Sequence, residues 1–173
     1  VTASFGQVVL PDEATDVSHA LQLADQRMYA GKGALRASER STARDLLLSL
    51  LPTHTREDVP GEQDVVARAV AVGHQLGLGP DQLDVLARGA ELHDIGKVAV
   101  PESILAKPGP LRDDEWAIVR RHTIIGERIV AATATLGPVA EIVRAVRERY
   151  DGSGYPDGLA GTEIPLESRI IAA

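Results

Sequence analysis

From Ser41 onward, apolar residues recur with the spacing of a helix that has one buried face. The clearest set stands at positions i, i+4, i+7 and i+11: Val65, Ala69, Val72 and Leu76. Such spacing is typical of an amphipathic helix, and the Gly-Leu-Gly-Pro segment at residues 77–80 is typical of a helix end. The pattern therefore predicts a mainly α-helical fold for residues 41–173.

The segment before this region predicts a different arrangement. Residues 2–10 have the composition of a β-strand, residues 18–32 have the pattern of a helix, and residues 31–40 are expected to form a hinge. One strand and one helix cannot form a core by themselves. We therefore divide the chain into an N-terminal segment at residues 1–40 and a helical domain at residues 41–173.

Composition excludes several classes of protein. The chain has 173 residues, a formal net charge of −7 and no cysteine, which excludes disulfides, cysteine-bound zinc and a cysteine nucleophile. The acidic balance argues against binding of a nucleic acid polymer. No signal peptide and no apolar run of membrane-spanning length are present, so a cytoplasmic protein is expected. A start at Val1 suggests a fragment of a longer chain.

A histidine and an aspartate stand side by side at the end of the next predicted helix. Leu83, Leu86 and Ala90 form its apolar face and lead directly to the pair His93 and Asp94. An imidazole and a carboxylate suit iron, manganese or zinc, and the carboxylate can bridge two ions. Most such pairs are exposed helix residues. Buried polar side chains need partners, however, which favours a metal site here.

Lys97 and His122 would complete such a site. Lys97 follows His93 at i+4 and Asp94 at i+3, so its positive charge can reach a phosphoryl oxygen on the same face. On a helix expected to begin near residue 113 or 114, His122 shares the spacing of an inward face with three isoleucines: Ile118, Ile125 and Ile129. The alternative for His122 is a core histidine with a hydrogen-bond partner inside the protein.

Four stretches of the sequence resemble a known family. They are residues 91–101 (ELHDIGKVAVP), 107–111 (KPGPL), 121–123 (RHT) and 151–161 (DGSGYPDGLAG). In this order they closely resemble the HD-GYP family, over about residues 41–173. The resemblance implies an HD-type helical bundle that hydrolyses the bacterial second messenger cyclic di-GMP with a divalent metal ion, iron or manganese.

The resemblance also implies roles for individual residues. His93, Asp94 and His122 would bind metal, and Glu57 would be a further ligand, as in members that hold a third ion. Asp94 and Lys97 would act in catalysis. In that mechanism a metal-bound hydroxide attacks phosphorus and Lys97 stabilises the developing charge.

Three positions depart from the family pattern and predict a degenerate metal site. Gly61 stands where the resemblance places a first histidine, and Val146 and Arg147 stand where it places a pair of histidines. A guanidinium cannot deprotonate to bind a metal ion and repels it instead. A further aspartate is expected just after Ala173, beyond the end of the chain, so we expect the domain to be truncated.

Two features are expected to contact the nucleotide. Arg147 either clasps a phosphate together with Lys97 or extends into solvent. The loop with Gly154, Tyr155 and Pro156 allows close approach of its backbone, and Tyr155 offers a stacking face and a hydroxyl group. A plain turn is the alternative for this glycine-rich loop. In the HD-GYP family the loop borders the active site and is linked to contacts with GGDEF domains.

The N-terminal segment resembles the closing strand and helix of a GGDEF domain, the fold that synthesises cyclic di-GMP. The resemblance rests on Ala24-Asp25, Met28-Tyr29 and Lys32 and covers only the tail of that domain. It predicts a remnant of an α/β domain at residues 1–40, without cyclase activity.

Three functions remain open at this point. The first is a metal-dependent cyclic di-GMP phosphodiesterase, which would need replacement ligands. The second is a catalytically inactive module that binds cyclic di-GMP or a related nucleotide. The third is a regulatory module that binds a partner, namely a GGDEF domain in the same or another protein, with a possible homodimer.

Overall fold

The computed structural model describes residues 5–10, 12–14, 16–49 and 62–173, and they are mainly helical. Within these ranges no β-strand is present, and the only strand-like pairing is an isolated antiparallel bridge between Asp151 and Ala160. This confirms the prediction of a mainly α fold. None of the described helices combines the length and apolar character that a transmembrane span requires.

The described part of the chain holds the following α-helices: α1 (Val17–Ser49), α2 (Glu62–Gln75), α3 (Pro80–Leu92), α4 (Glu102–Leu105), α5 (Asp113–Arg120), α6 (His122–Ala131), α7 (Gly137–Ala145) and α8 (Leu166–Ile171). Short 3₁₀ turns lie at Ile95–Ala99, Ala134–Leu136 and Gly161–Glu163. The chain divides into two compact units, Val1–Ala43 and Arg44–Ala173.

The N-terminal unit differs from its prediction in two respects. Residues 5–10 are irregular rather than a strand, because no neighbouring strand is described with which they could form a ladder. Residues 2–4 of the predicted strand lie outside the described residues. Helix α1 also continues through residues 31–40, the stretch for which a hinge is predicted. Seven of the ten residues there are strong helix formers, which outweigh the two glycines and the serine.

Close contacts join the irregular segment to α1 within this unit. A Cβ atom on Gly6 would lie 1.8 Å from the carbonyl oxygen of Ala24, so only glycine fits there. The Arg27 guanidinium donates to both carboxylate oxygens of Glu13, at 2.9 and 2.5 Å, and to the carbonyl oxygen of Gln7. These contacts fix the loop against the helix without a sheet.

In the second unit, α2 packs against α3 and α8 around Ala69, Leu86 and Ala90. The prediction that Val72 and Leu76 share this buried face is wrong, since they are 42% and 57% exposed. Periodicity identifies the apolar face of a helix but not how much of that face another element covers. The described neighbouring helices cover Ala69, but they do not cover Val72 or Leu76, the last two positions of the set.

The frame of the candidate site is the packing of α6 against α7 and against the 3₁₀ turn Ile95–Ala99. A Cβ atom on Gly96 would lie 1.9 Å from the carbonyl oxygen of His122 and 2.6 Å from the amide nitrogen of Gly126. The backbones of the turn and of α6 are therefore in direct contact. This contact brings the end of α3 to the start of α6.

The predicted helix start at residue 113 is confirmed, but α5 ends at Arg120 and α6 begins at His122. Ile118 and His122 therefore do not share one helix face. His122 is buried, whereas Ile118 is 38% exposed, because the chain turns at Arg121 between them.

Candidate active site

Asp94 lies at the centre of the candidate site, just after α3 and before the 3₁₀ turn. Its carboxylate is largely buried and meets a cation at each oxygen. Lys97 Nζ donates to Oδ2 at 2.5 Å, and Arg147 Nη2 donates to Oδ1 at 3.1 Å. The i, i+3 spacing within the turn accounts for the first contact. The second joins residues far apart in the sequence.

The two predicted histidine ligands approach the same carboxylate from different helices. His93 Nε2 lies 3.3 Å from Asp94 Oδ2, and His122 Nε2 lies 3.6 Å from Oδ1. In both rings Nδ1 is 2.7 Å from a carbonyl oxygen of the preceding helical turn, that of Ala90 or Val119. A carbonyl only accepts, so Nδ1 carries a proton in both rings. A neutral His122 then presents its Nε2 lone pair to the site, whereas a protonated His93 donates from Nε2 to Asp94 Oδ2.

The environment shifts the pKa values of these groups in different directions. Burial alone would lower the pKa of His93, but the hydrogen bond and negative charge of Asp94 outweigh it and raise that pKa. Burial lowers the pKa of His122, which favours its neutral form. Burial opposes ionisation of Asp94, yet the hydrogen bond from His93 and the nearby positive charges hold its pKa well below the usual range. Asp94 is thus a carboxylate, and His122 a neutral imidazole.

One polar atom of the site lacks a partner. His122 Nε2 is buried and makes no hydrogen bond to any described residue. A buried, unsatisfied nitrogen costs about 1–3 kcal/mol, and such atoms recur at functional sites. The alternative of a core histidine with all its hydrogen bonds made therefore does not hold: Nδ1 has a partner, but Nε2 has none among the described residues.

The described residues bring three candidate metal ligands near one another without arranging them around a common ion position. Two imidazoles and a carboxylate are suitable ligand types. Over the described parts of the chain, however, no group of three or more His, Cys, Asp and Glu side chains is placed to hold a metal ion. At Asp94, Lys97 contacts one carboxylate oxygen and Arg147 the other. Glu57 and Gly61, two further positions considered from the sequence, lie outside the described residues.

Arg147 reaches the site from the segment that follows α7. Its neighbour Val146 is buried in the core, as predicted, and Arg147 itself is 40% exposed at the side chain. The structure places its guanidinium on Asp94 rather than in open solvent. A long-range ion pair between a helix end and a distant arginine has no signature in sequence spacing.

The glycine-rich loop places Tyr155 beside the same cluster. The Tyr155 ring meets the His122 ring edge to face, with centroids 6.3 Å apart, and the Arg120 guanidinium lies 5.6 Å from the Tyr155 centroid. Burial raises the pKa of Tyr155, although the charges of Arg147 and Arg120 oppose the rise. A cis peptide bond joins Tyr155 to Pro156.

Glu148 holds this loop in place, a role that sequence reasoning missed. Its buried carboxylate accepts hydrogen bonds from the backbone N–H groups of Asp157, Gly158 and Leu159 at 2.7, 3.1 and 3.1 Å. A Cβ atom on Gly154 would lie 2.4 Å from the Glu148 Cα atom, so loop and helix end are in close contact. The donors to this buried carboxylate are backbone amides, which no pattern of side chains in the sequence indicates.

Arg144 adds a second tie to the loop. It donates to both oxygens of Asp157, at 2.7 and 2.8 Å, and to Glu127 of α6 at 2.6 Å. Its hydrogen bonds to Asp157 and Glu127 raise its pKa further above the ordinary arginine value. The loop is therefore fixed to α6 and α7 by charged groups.

Comparison with known proteins identifies the family. The family model described as HD domain matches residues 34–173. The cyclic di-GMP phosphodiesterase response regulator RpfG of Xanthomonas campestris is 38% identical over 154 residues, which cover 86% of this chain and 39% of that protein. A cyclic di-GMP phosphodiesterase of Pseudomonas aeruginosa is 35% identical over 163 residues, 92% of this chain and 37% of that protein.

A third relative is named for a different substrate, 3'3'-cGAMP. The 3'3'-cGAMP-specific phosphodiesterase 2 of Vibrio cholerae is 38% identical over 138 residues, 77% of this chain and 26% of that protein. The chain thus spans well under half the length of each of these relatives. HD-domain phosphodiesterases are metal dependent as a class. The chain belongs to the HD domain family, and its motifs and relatives place it among the HD-GYP members of that family.

Proposed function

We propose that this chain is an HD-GYP domain of cyclic di-GMP signalling whose degenerate metal site binds the nucleotide without hydrolysing it efficiently. Its relatives are named phosphodiesterases for cyclic di-GMP or 3'3'-cGAMP, which supports a cyclic dinucleotide as the ligand. Descent from a metal-dependent phosphodiesterase accounts for the histidine and aspartate motif. Loss of ligand residues accounts for the cations that now surround Asp94.

The observation that carries this proposal is the contact of Arg147 with Asp94 at 3.1 Å. Arg147 stands where the HD-GYP pattern has a metal-binding histidine. Its guanidinium supplies positive charge to the carboxylate in place of a metal ion, and it retains donors for a second anion. The site is therefore suited to hold a phosphate by hydrogen bonds and charge.

In this proposal Lys97 and Arg147 bind one phosphate of the nucleotide. Lys97 acts as a compact point charge, and Arg147 can donate two parallel hydrogen bonds to phosphate oxygens. Asp94 keeps the two cations close together in the unliganded protein and competes with the phosphate for them. Tyr155 offers its half-buried ring and hydroxyl to the sugar or base beside that phosphate.

Binding of cyclic di-GMP by calorimetry, to wild type and to Arg147→Ala, tests the proposal. Loss of charge-assisted hydrogen bonds to phosphate should weaken the affinity about tenfold or more. The matched control is Arg128→Ala, which removes an exposed arginine from α6 away from Asp94. Equal affinities for wild type and Arg147→Ala would contradict the proposal.

A second candidate is the metal-dependent phosphodiesterase itself. The unpartnered Nε2 atom of His122 favours it, because a buried imidazole with its proton fixed on Nδ1 is prepared to act as a ligand. It would require Arg147 to leave Asp94. Iron or manganese as the ion, and Glu57 as a further ligand, stay predictions.

Elemental analysis after anaerobic loading with iron and manganese separates the two candidates. We expect wild type to retain little metal after desalting, and Arg147→His to retain more because an imidazole then replaces the guanidinium. Wild type that retains about one metal ion per chain and hydrolyses cyclic di-GMP would establish the second candidate instead.

The partner proposals rest on family resemblance. A GGDEF domain in the same or another protein would contact the loop with Gly154, Tyr155 and Pro156, and residues 1–40 would be the tail of such a domain. The boundary between residues 1–40 and 41–173, a homodimer and a cytoplasmic location are likewise predictions. Copurification with a GGDEF domain, compared between wild type and Tyr155→Ala, tests the first of them.

A further inference from the structure

Arg120, the last residue of α5, is a cation at the rim of the site that has no assigned role. Its side chain is exposed and lies over the Tyr155 ring. Within the described ranges, Arg120 makes no salt bridge and its guanidinium donates no hydrogen bond; Tyr155 is its one side-chain contact of note. All its N–H groups are therefore available to a ligand.

The loop anchors fix the position of Tyr155, whose ring the Arg120 guanidinium contacts. Glu148 accepts hydrogen bonds from consecutive loop amides, and Arg144 binds Asp157. The Tyr155 amide also donates to the Arg147 carbonyl oxygen at 3.2 Å. A guanidinium held over an aromatic ring loses less freedom on binding, so its hydrogen bonds contribute more to affinity.

The position of Arg120 relative to the phosphate-binding pair suggests what it contacts. A series of contacts connects Arg120 to this pair through Tyr155. The Arg120 guanidinium lies 5.6 Å from the Tyr155 centroid, the Tyr155 ring meets the His122 ring, and His122 Nε2 lies 3.6 Å from the Asp94 carboxylate that Arg147 binds. A nucleotide whose phosphate rests on Lys97 and Arg147 would extend its base past the Tyr155 ring. The base would then come within reach of Arg120.

We infer that Arg120, held by Tyr155, reads the O6 and N7 acceptor edge of a guanine and makes the site selective for guanine-containing cyclic dinucleotides. This inference rests on the proposed function. Guanine presents two acceptors that match the paired donors of arginine, whereas adenine presents one acceptor and one donor at the same edge. Adenine would therefore set its amino group against the guanidinium.

The test measures dissociation constants of cyclic di-GMP, 3'3'-cGAMP and cyclic di-AMP for wild type, Arg120→Ala and Arg120→Lys. For Arg120→Ala we expect affinity for cyclic di-GMP to fall about tenfold, with cyclic di-AMP nearly unchanged, because a bidentate contact discriminates between bases by roughly that factor. Arg120→Lys should restore only part of the loss, since an ammonium group lacks the planar fork of donors that matches the two guanine acceptors.

Arg128→Ala is again the matched control, and circular dichroism confirms that each variant is folded. An equal loss of affinity for all three nucleotides would show that Arg120 binds phosphate, and it would overturn the inference while leaving the proposed function intact. Unchanged affinities in Arg120→Ala would also overturn it. Absence of nucleotide binding by wild type would overturn the proposed function and this inference together.

Discussion

The backbone of Gly96 touches that of His122 so closely that a Cβ atom on Gly96 would lie 1.9 Å from the His122 carbonyl oxygen. Gly96→Ala should therefore separate the 3₁₀ turn from α6 and lower the free energy of unfolding by about 3 kcal/mol or more. Urea denaturation measures this change. Gly137→Ala is the control, because nothing lies within 4 Å of its added Cβ atom. Equal effects of the two substitutions would contradict the prediction.

Asp94→Asn should lower the stability of the fold and raise its affinity for an anion. Loss of the carboxylate leaves Lys97 and Arg147 as neighbouring cations, which we expect to cost about 1–2 kcal/mol after allowance for their partial exposure. The same change frees both cations, so affinity for pyrophosphate should rise. Calorimetric titration with pyrophosphate and urea denaturation give the two readings.

The control for this experiment is Asp84→Asn, which removes the partner of Arg88 in an i, i+4 pair on α3. It should leave the affinity for pyrophosphate unchanged. Loss of anion binding in Asp94→Asn would indicate that the carboxylate supports the anion, for instance by holding a metal ion, and would argue against direct competition.

Glu148→Gln should loosen the glycine-rich loop. An amide side chain has one acceptor oxygen for the N–H groups that now share a carboxylate, and its own N–H group would face a loop amide. We expect a loss of about 2 kcal/mol in stability and faster hydrogen exchange at residues 157–159. Glu163→Gln, which affects a single exposed contact to the Ala160 amide, is the control. Unaltered exchange at residues 157–159 would contradict the anchoring role.

Glu13 should remain ionised at unusually low pH. The hydrogen bond from Arg27 lowers its pKa from 4.5 to about 2. Because the folded pKa is the lower one, the ionised pair stabilises the folded state above pH 4.5, and this contribution is lost as the pH falls towards 2. Carbon NMR titration of the Glu13 carboxyl group measures the pKa directly. Arg27→Ala should return it towards 4.5, and a normal value in wild type would contradict the ion pair.

The helical fold could be predicted from the sequence because period and helix ends are local properties. Which elements pack over a helix, in contrast, depends on residues that are distant in the sequence. Val72 and Leu76 continue the apolar spacing of Ala69, yet they lie at the surface because no described element packs over them. Over residues 5–10 the predicted strand is absent for a similar reason, since a strand needs a partner that composition does not reveal.

The motif residues His93, Asp94, Lys97 and His122 were singled out by spacing and family resemblance, and the structure brings them together. The ties that orient them could not be predicted. The i, i+4 spacing of Arg144 and Glu148 is typical of an ion pair within one helix. In the structure, however, Glu148 binds backbone amides, while Arg144 binds Asp157 and Glu127. Hydrogen bonds to main-chain groups depend on the tertiary structure, so the order of side chains in the sequence does not predict them.

The Nδ1 contacts of His93 and His122 have a consequence for substitutions at position 147. Each imidazole is oriented by a carbonyl of its own preceding helical turn, at 2.7 Å, and not by whatever lies between the rings. A change at position 147 can thus alter the chemistry of the centre without disturbing the rings around it. Substitutions at position 147 can therefore be compared with both imidazoles still held in the same orientation.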